Sequence, residues 1–203
     1  MKKKIPLILA AALMASSACA CHKEKIVTVE PGTNTHKVVA TETDAILAVI
    51  DESWSTRFLG NSDDLLYPNA GIAHITGDGD YTVSVDAAGT DISPKGLNFL
   101  YVKVFDGYGH YPNMAIEVKS VRVDGKELEL KAKNYTSSED KREMRATIYN
   151  TYVEKLPEDA HDANGAVTDD GTYSAQIIDP EAFASGWTKV EVDFTVTGTA
   201  QGS

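Results

Sequence analysis

The stretch "FLYVKVFDGYGHYPN", Phe99 to Asn113, packs Phe and Tyr rings together with a lysine, two glycines and a histidine. Flat apolar rings on a protein surface stack against the C–H faces of pyranose sugars, and neighbouring polar groups orient the hydroxyls. Rings available for this chemistry are Trp54, Tyr101, Phe105, Tyr108, Tyr111, Tyr149, Tyr152 and Trp187, with Asp106, Asn113 and Asn150 among the polar neighbours. The set expected to contact a ligand is Trp54, Arg57, Tyr101, Lys103, Phe105, Tyr108, His110, Tyr111 and Tyr149. Packing is the competing use of the same rings. Gly107, Gly109 and Pro112 set a turn whose tyrosines can cap a core edge, and Trp187 suits core-edge packing at a strand entrance. The N-terminal segment or the 157–175 loop can equally cover the face that carries Tyr101 and Phe105.

Other chemistries leave fainter marks. The acidic turns "NSDD" (Asn61–Asp64), "GDGD" (Gly77–Asp80) and "DANGAVTDDG" (Asp162–Gly171) offer oxygens of the kind Ca²⁺ takes, but none has the spacing of a full calcium loop. No cofactor is expected, with structural calcium as the one option. The chain has no G-x-S-x-G elbow and no H-E-x-x-H, and its five histidines share no motif. Its many carboxylates sit at turns and outward strand positions, where solvation accounts for them. The protein is expected not to be an enzyme.

These residues need strands to position them. "DYTVSVD" alternates Tyr81, Val83 and Val85 against polar neighbours after the turn cluster "TGDGD". In "LNFLYVKVF", Leu100, Val102 and Val104 share one face, which sends Phe99, Tyr101, Lys103 and Phe105 to the other. Asp124-Gly125 suits the positive φ of a type I′ hairpin turn. Ile116 and Val118 are out of phase with Val121 and Val123, which predicts a bulge near Lys119–Ser120. "EMRATIYN" sets Met144, Ala146 and Ile148 against Arg145, Thr147 and Tyr149. "WTKVEVDFTVTG" turns Val190, Val192, Phe194 and Val196 inward. The apolar run Ala45–Ile50 reads as a buried strand, 157–175 as a long surface loop, and "DPEAFAS" as one helical turn capped by Asp179. Seven to nine short strands with almost no helical period predict an all-β antiparallel sandwich, jelly-roll-like or immunoglobulin-like, over residues 42–199.

The first residues belong to a different regime. "MKKK" is a positive n-region, "IPLILAAALMA" an apolar run too short for a mature membrane span, and "SSACAC" a small-residue cleavage site. The two cysteines, Cys19 and Cys21, are the only ones in the chain, and C-x-C at this point suits a bacterial lipobox better than a disulfide. The lipidated residue is expected to be Cys19, with Cys21 as the alternative. Residues 1–18 then form a lipoprotein signal peptide and 19–41 a polar tether, with a short strand at Lys25–Val29 as an option. The protein is expected to be exported and held on the cell membrane by its acyl chains, facing outward. The net charge of −11 disfavours nucleic acid and anionic lipid as partners, since both need a basic surface.

Beyond these patterns, "GDGDYTVSVD", "FLYVKVFDGYGHYPNMAIEVKSVRVDGKELEL", "NYTSSED" with "MRATIYNTYV", and "WTKVEVDFTVTG" resemble a β-sandwich module of exported proteins from anaerobic gut bacteria. The resemblance runs from about Asp44 to Gly198, and "SWSTRFLG" matches an aromatic early segment of such modules. It departs at Arg57, where a neutral amide is expected, and at Thr151-Tyr152, where an acid followed by Trp is expected. Such modules look like non-catalytic carbohydrate-binding modules that accompany polysaccharide-degrading systems. The resemblance implies a polysaccharide or other glycan as partner. The other class of function is an interaction module that docks onto another envelope protein. A two-lobed solute receptor is too large for this chain.

Overall fold

Side chains alternate across a strand, so a run such as Val190, Val192, Phe194 and Val196 can bury one face and solvate the other. The computed structural model describes residues 43–60 and 70–200, and the run Lys189–Thr197 follows that rule along its whole length. In chain order the strands are β1 (Asp44–Ile50), β2 (Arg57–Phe58), β3 (Ala73–His74), β4 (Gly79–Asp86) and β5 (Phe99–Val104). There follow β6 (Ala115–Val123), β7 (Lys126–Glu127), β8 (Thr136–Glu139), β9 (Glu143–Asn150), β10 (His161–Asp162), β11 (Gly165–Ala166) and β12 (Lys189–Thr197). Two single helical turns, α1 (Gly107–His110) and α2 (Glu181–Ala184), complete the description.

The strands make two sheets, ordered β11-β10-β8-β9-β5-β1-β2, with β3 also on β1, and β4-β12-β6-β7. Every strand pair is antiparallel. The fold is an all-β sandwich. Its core is Leu47, Val49, Leu100, Val102, Val104, Met144 and Ala146 from the large sheet against Val83, Val85, Val121, Val190, Val192, Phe194 and Val196 from the small one. Each such side chain removed from water contributes about 1.5–3 kcal/mol. At one edge, side chains stitch the layers together. Ile116 and Val118 donate their backbone N–H groups to Thr136 Oγ1 and Asn134 Oδ1, at 2.7 and 2.9 Å.

Local expectations hold at several points. Lys119 is the extra residue of the β6 bulge, since Phe194 pairs with Val118 and Asp193 with Ser120. Asp124 and Gly125 both have positive φ, +49° and +80°, in a two-residue hairpin turn. Asp179 accepts from the Glu181 N–H at the start of α2, whose Phe183 packs edge-on against buried Trp187. Two expectations need correction. The 157–175 segment is no plain loop. It forms the β10–β11 hairpin, which extends the large sheet through His161 and Thr136. The "DGYGH" turn coils into α1 because Gly107 fits against Met144, where a Cβ would come within 2.9 Å of Cγ. The leader, the tether, the strand option at Lys25–Val29, Cys19, Cys21 and the "NSDD" turn lie outside the described residues. Among the described residues, no helix is long and apolar enough to cross a membrane.

The outer face of the small sheet is a closed polar ladder. Arg122 forks between Glu191 and Asp193, and Asp193 also accepts from Thr82 and Ser120. The Arg122 hydrogen bond, against the opposing effect of burial, holds the Asp193 carboxyl at about 2. Strand β12 then ends at Gly198, φ +76°, where a Cβ would collide with the Asn113 carbonyl oxygen. Replacing Gly198 with Ala is therefore expected to lower unfolding stability by about 2 to 3 kcal/mol. An unchanged denaturation midpoint would contradict this placement.

Candidate functional site

The outer face of the large sheet is where strand parity sends Phe99, Tyr101 and Lys103. Tyr101 stands opposite Ala48 and Lys103 opposite Ile46, as alternation predicts. That face is closed along most of its length. Lys103 is 3% exposed and its ammonium lies 3.2 Å from Glu143 Oε1. Arg145 also reaches Glu143, at 2.7 Å, and Glu139, at 2.9 Å. The two cations lie over rings: Lys103 Nζ is 4.1 Å from the Phe105 centroid, and the Arg145 guanidinium 5.0 Å from that of Tyr101. Gly60 closes the lower end, with room for a Cβ only 2.6 Å from Ile46 Cδ1 and 2.9 Å from the Phe105 ring.

Of the expected open shelf, Lys103 is buried and Tyr101 and Phe105 are partly buried. Against them lie an ionic layer from neighbouring strands and the turn at Gly60. Tyr149 also changes sides. Ile148 is an extra residue against β5, so Tyr149 falls opposite core residue Leu100 and is 7% exposed. Tyr108 and Tyr111 pack partly buried against the main core, with the Tyr111 hydroxyl 3.4 Å from the Ile75 carbonyl. His110 sits 3.6 Å from Asp106 on α1. Trp187 is core, and its Nε1–H donates to the Gly96 carbonyl at 3.2 Å.

At the other end of the same face, rings do reach solvent. Phe99 stacks on Tyr152 at 5.4 Å and 21°, and Trp54 meets Phe99 edge-on at 5.4 Å and 83°. Trp54 is 52% and Tyr152 65% exposed, the only large hydrophobic side chains so open among the described residues. Trp54 comes from the β1–β2 turn, Phe99 from the start of β5, and Tyr152 from just past β9. The pairing of Phe99 with Asn150 brings the last two together, and Asn150 Oδ1 accepts from the Tyr152 N–H at 2.9 Å.

Trp54 is held by an unusual turn. Its φ is +59°, a conformation that is a true outlier for a bulky residue and needs a surrounding structure to impose it. That structure is Asp51, 1% exposed. Its carboxylate accepts from the Thr56 N–H at 3.0 Å, Ser55 Oγ at 2.9 Å and Ser53 Oγ at 3.0 Å. Its backbone N–H reaches the Thr56 carbonyl, and its carbonyl accepts from the Trp54 N–H, both at 3.1 Å. Burial pushes the Asp51 carboxyl up, but the hydrogen bonds from Thr56, Ser55 and Ser53 outweigh it and hold it below its ordinary 3.8. The turn thus sets the Trp54 backbone, from which the ring meets Phe99 edge-on.

The remaining acidic turns are occupied by protein donors. Asp78 binds the Thr199 backbone and hydroxyl, Asp162 takes the Asn164 N–H and the Tyr173 hydroxyl, and Asp170 takes the Thr172 N–H. Among the described residues no three of His, Cys, Asp and Glu converge as a metal site requires. No family model matches this chain, and no curated protein or solved structure matches it either. Of the rings that form the shelf, sequence parity places Phe99 outward and marks Trp54 and Tyr152 as candidates, but it does not join them.

Since the folded Asp51 carboxyl titrates below its unfolded value, its stabilisation is complete above about 3.8 and is lost as pH falls through the folded pKa. Asp51→Ala is expected to cost about 2 to 3 kcal/mol, the scale of hydrogen bonds to a charged acceptor. In a Trp187→Phe background, time-resolved anisotropy should show Trp54 rigid at neutral pH, freer once pH falls through the folded Asp51 pKa, below 3.8, and already free at neutral pH in the Asp51 variant. A Trp54 equally ordered in all three conditions would refute the role given to Asp51.

Proposed function

We propose that this protein binds polysaccharide without cleaving it, by stacking sugar rings on the shelf of Trp54, Phe99 and Tyr152, while a lipid anchor holds it at the cell surface. The observation that carries this reading is the pair of exposed rings flanking Phe99 on fixed turns. A ring already immobilised loses little entropy when a ligand stacks on it, so its contact area goes into affinity. Apolar rings left open to water at this size are the exception on a soluble surface and mark a contact site.

The surrounding surface supports a polymer as ligand. The recess lined by Glu154, Lys155, Asp169 and Tyr173 is shallow and open, whereas small-molecule sites are concave and apolar. The shelf lies on the outer face of a sheet, which suits a chain lying across it. The resemblance of the strand segments to carbohydrate-binding modules points the same way. Anchoring rests on the leader pattern and on Cys19, with Cys21 as the alternative.

Affinity electrophoresis through gels holding soluble glucans, xylans, mannans or galacturonans tests the reading. The folded protein should be retarded by at least one of them, and Trp54→Ala and Tyr152→Ala should each weaken binding about tenfold, near 1.4 kcal/mol. No retardation by any glycan would defeat the proposal. For the anchor, radiolabelled palmitate should enter the full chain expressed in a lipoprotein-processing bacterium. Labelling should vanish in Cys19→Ala and persist in Cys21→Ala.

A further inference from the structure

The shelf does not end at Trp54. Across the outer face, Asn150, Phe99, Ile50 and Arg57 are directly paired in register on β9, β5, β1 and β2. Strands lie about 4.8 Å apart, so the Arg57 backbone stands about 10 Å from that of Phe99 and about 14 Å from that of Asn150. Directly paired residues share a face, which puts Arg57 at the end of the row that carries the rings. The turn bearing Trp54 begins at Asp51 and closes at Thr56, immediately before Arg57.

Arg57 differs from the other cations of this face. Lys103 and Arg145 are spent on Glu143 and Glu139. Arg57 is exposed, and among the described residues no carboxylate stands within ion-pairing distance of it. In a chain with 30 acidic and 19 basic side chains, an arginine with no acid beside it among the described residues, next to exposed rings, has spare binding capacity. Its planar fork matches a carboxylate with two parallel hydrogen bonds, a geometry that lysine cannot reproduce.

We infer that the ligand is a polysaccharide bearing carboxylate groups, a uronic-acid polymer, with Arg57 clamping a carboxylate while neighbouring sugar rings stack on the shelf; this rests on the sugar-binding reading above. The overall acidity of the protein sharpens the inference. A net charge of −11 repels an acidic polymer at long range, so its retention requires a specific short-range site. Salt screens this long-range repulsion more strongly than it weakens the short-range clamp, so binding falls less with ionic strength than simple ion exchange would.

Isothermal titration of the folded protein in EDTA, with polygalacturonate, alginate, fully methyl-esterified polygalacturonan and neutral xylan, tests this directly. EDTA removes the calcium that would gel the acidic polymers. At least one acidic polymer should bind about tenfold tighter than the esterified chain. Arg57→Gln should erase that difference, Arg57→Lys should restore only part of it, and Trp54→Ala should weaken every ligand. Unchanged melting temperatures certify that the exposed-site variants are folded. Equal binding of acid and ester, binding of neutral glycans alone, or an Arg57→Gln protein as selective as wild type would each overturn the inference and leave the shelf standing. Binding of none of the four, and of no glycan in the wider panel, would overturn both.

Discussion

Strand β1 is apolar on both of its faces, with Ala45, Leu47 and Val49 turned to the core and Ile46, Ala48 and Ile50 turned away from it. All six are 5% exposed or less. A sheet in a two-layer sandwich has only one face covered by its partner, so the second apolar set must be hidden by something else. Each isoleucine left in water would forgo about 1.5–3 kcal/mol. The outer side of the large sheet is organised by that need. Gly60 closes over Ile46, Tyr101 lies beside Ala48, and Phe99 stands beside Ile50 at the end that remains open.

The cover is made from charge as well as from rings. Lys103 gives its aliphatic stem to the apolar surface and its ammonium to Glu143, and Arg145 holds the same carboxylate from the other side. Burying such groups carries a desolvation cost that pairing roughly offsets, so the layer adds little net stability. Its consequence is geometric. It sets a cation over each of Phe105 and Tyr101, and leaves the most open rings at the Phe99 end. There the Asp51 turn fixes Trp54 in a conformation that the sheet alone would not enforce. A core constraint, a polar layer and a strained turn combine to define one open row of residues.

Much of this was legible one residue at a time. Alternation located β4, β5, β6, β9 and β12 and their buried faces, because strand periodicity is local and a buried valine face leaves a period of two in any sequence. The bulge at Lys119 showed itself as a break in that period, and the Asp124-Gly125 turn as a pair suited to positive φ. The bulge at Ile148 left no such mark. Ile148 is apolar and buried like its neighbours, and the slip appears only against the register of β5, so Tyr149 faces the core where alternation alone predicts the outer side. Trp54 at positive φ had no sequence signal either, since glycine, asparagine and aspartate are the residues that announce that conformation.

What the amino-acid order determined by itself was the all-β class, the inward set of each long strand and the outward parity of Phe99, Tyr101 and Lys103. These follow from contacts within a few residues of chain. What only the tertiary structure decided was which outward rings stay in water. Phe99 and Tyr152 are separated by more than fifty positions and meet through the pairing of β5 with β9, while Lys103 and Glu143, 40 positions apart, close over the neighbouring stretch. Exposure is a property of what folds across a surface, and the residues that do so are set by long-range register.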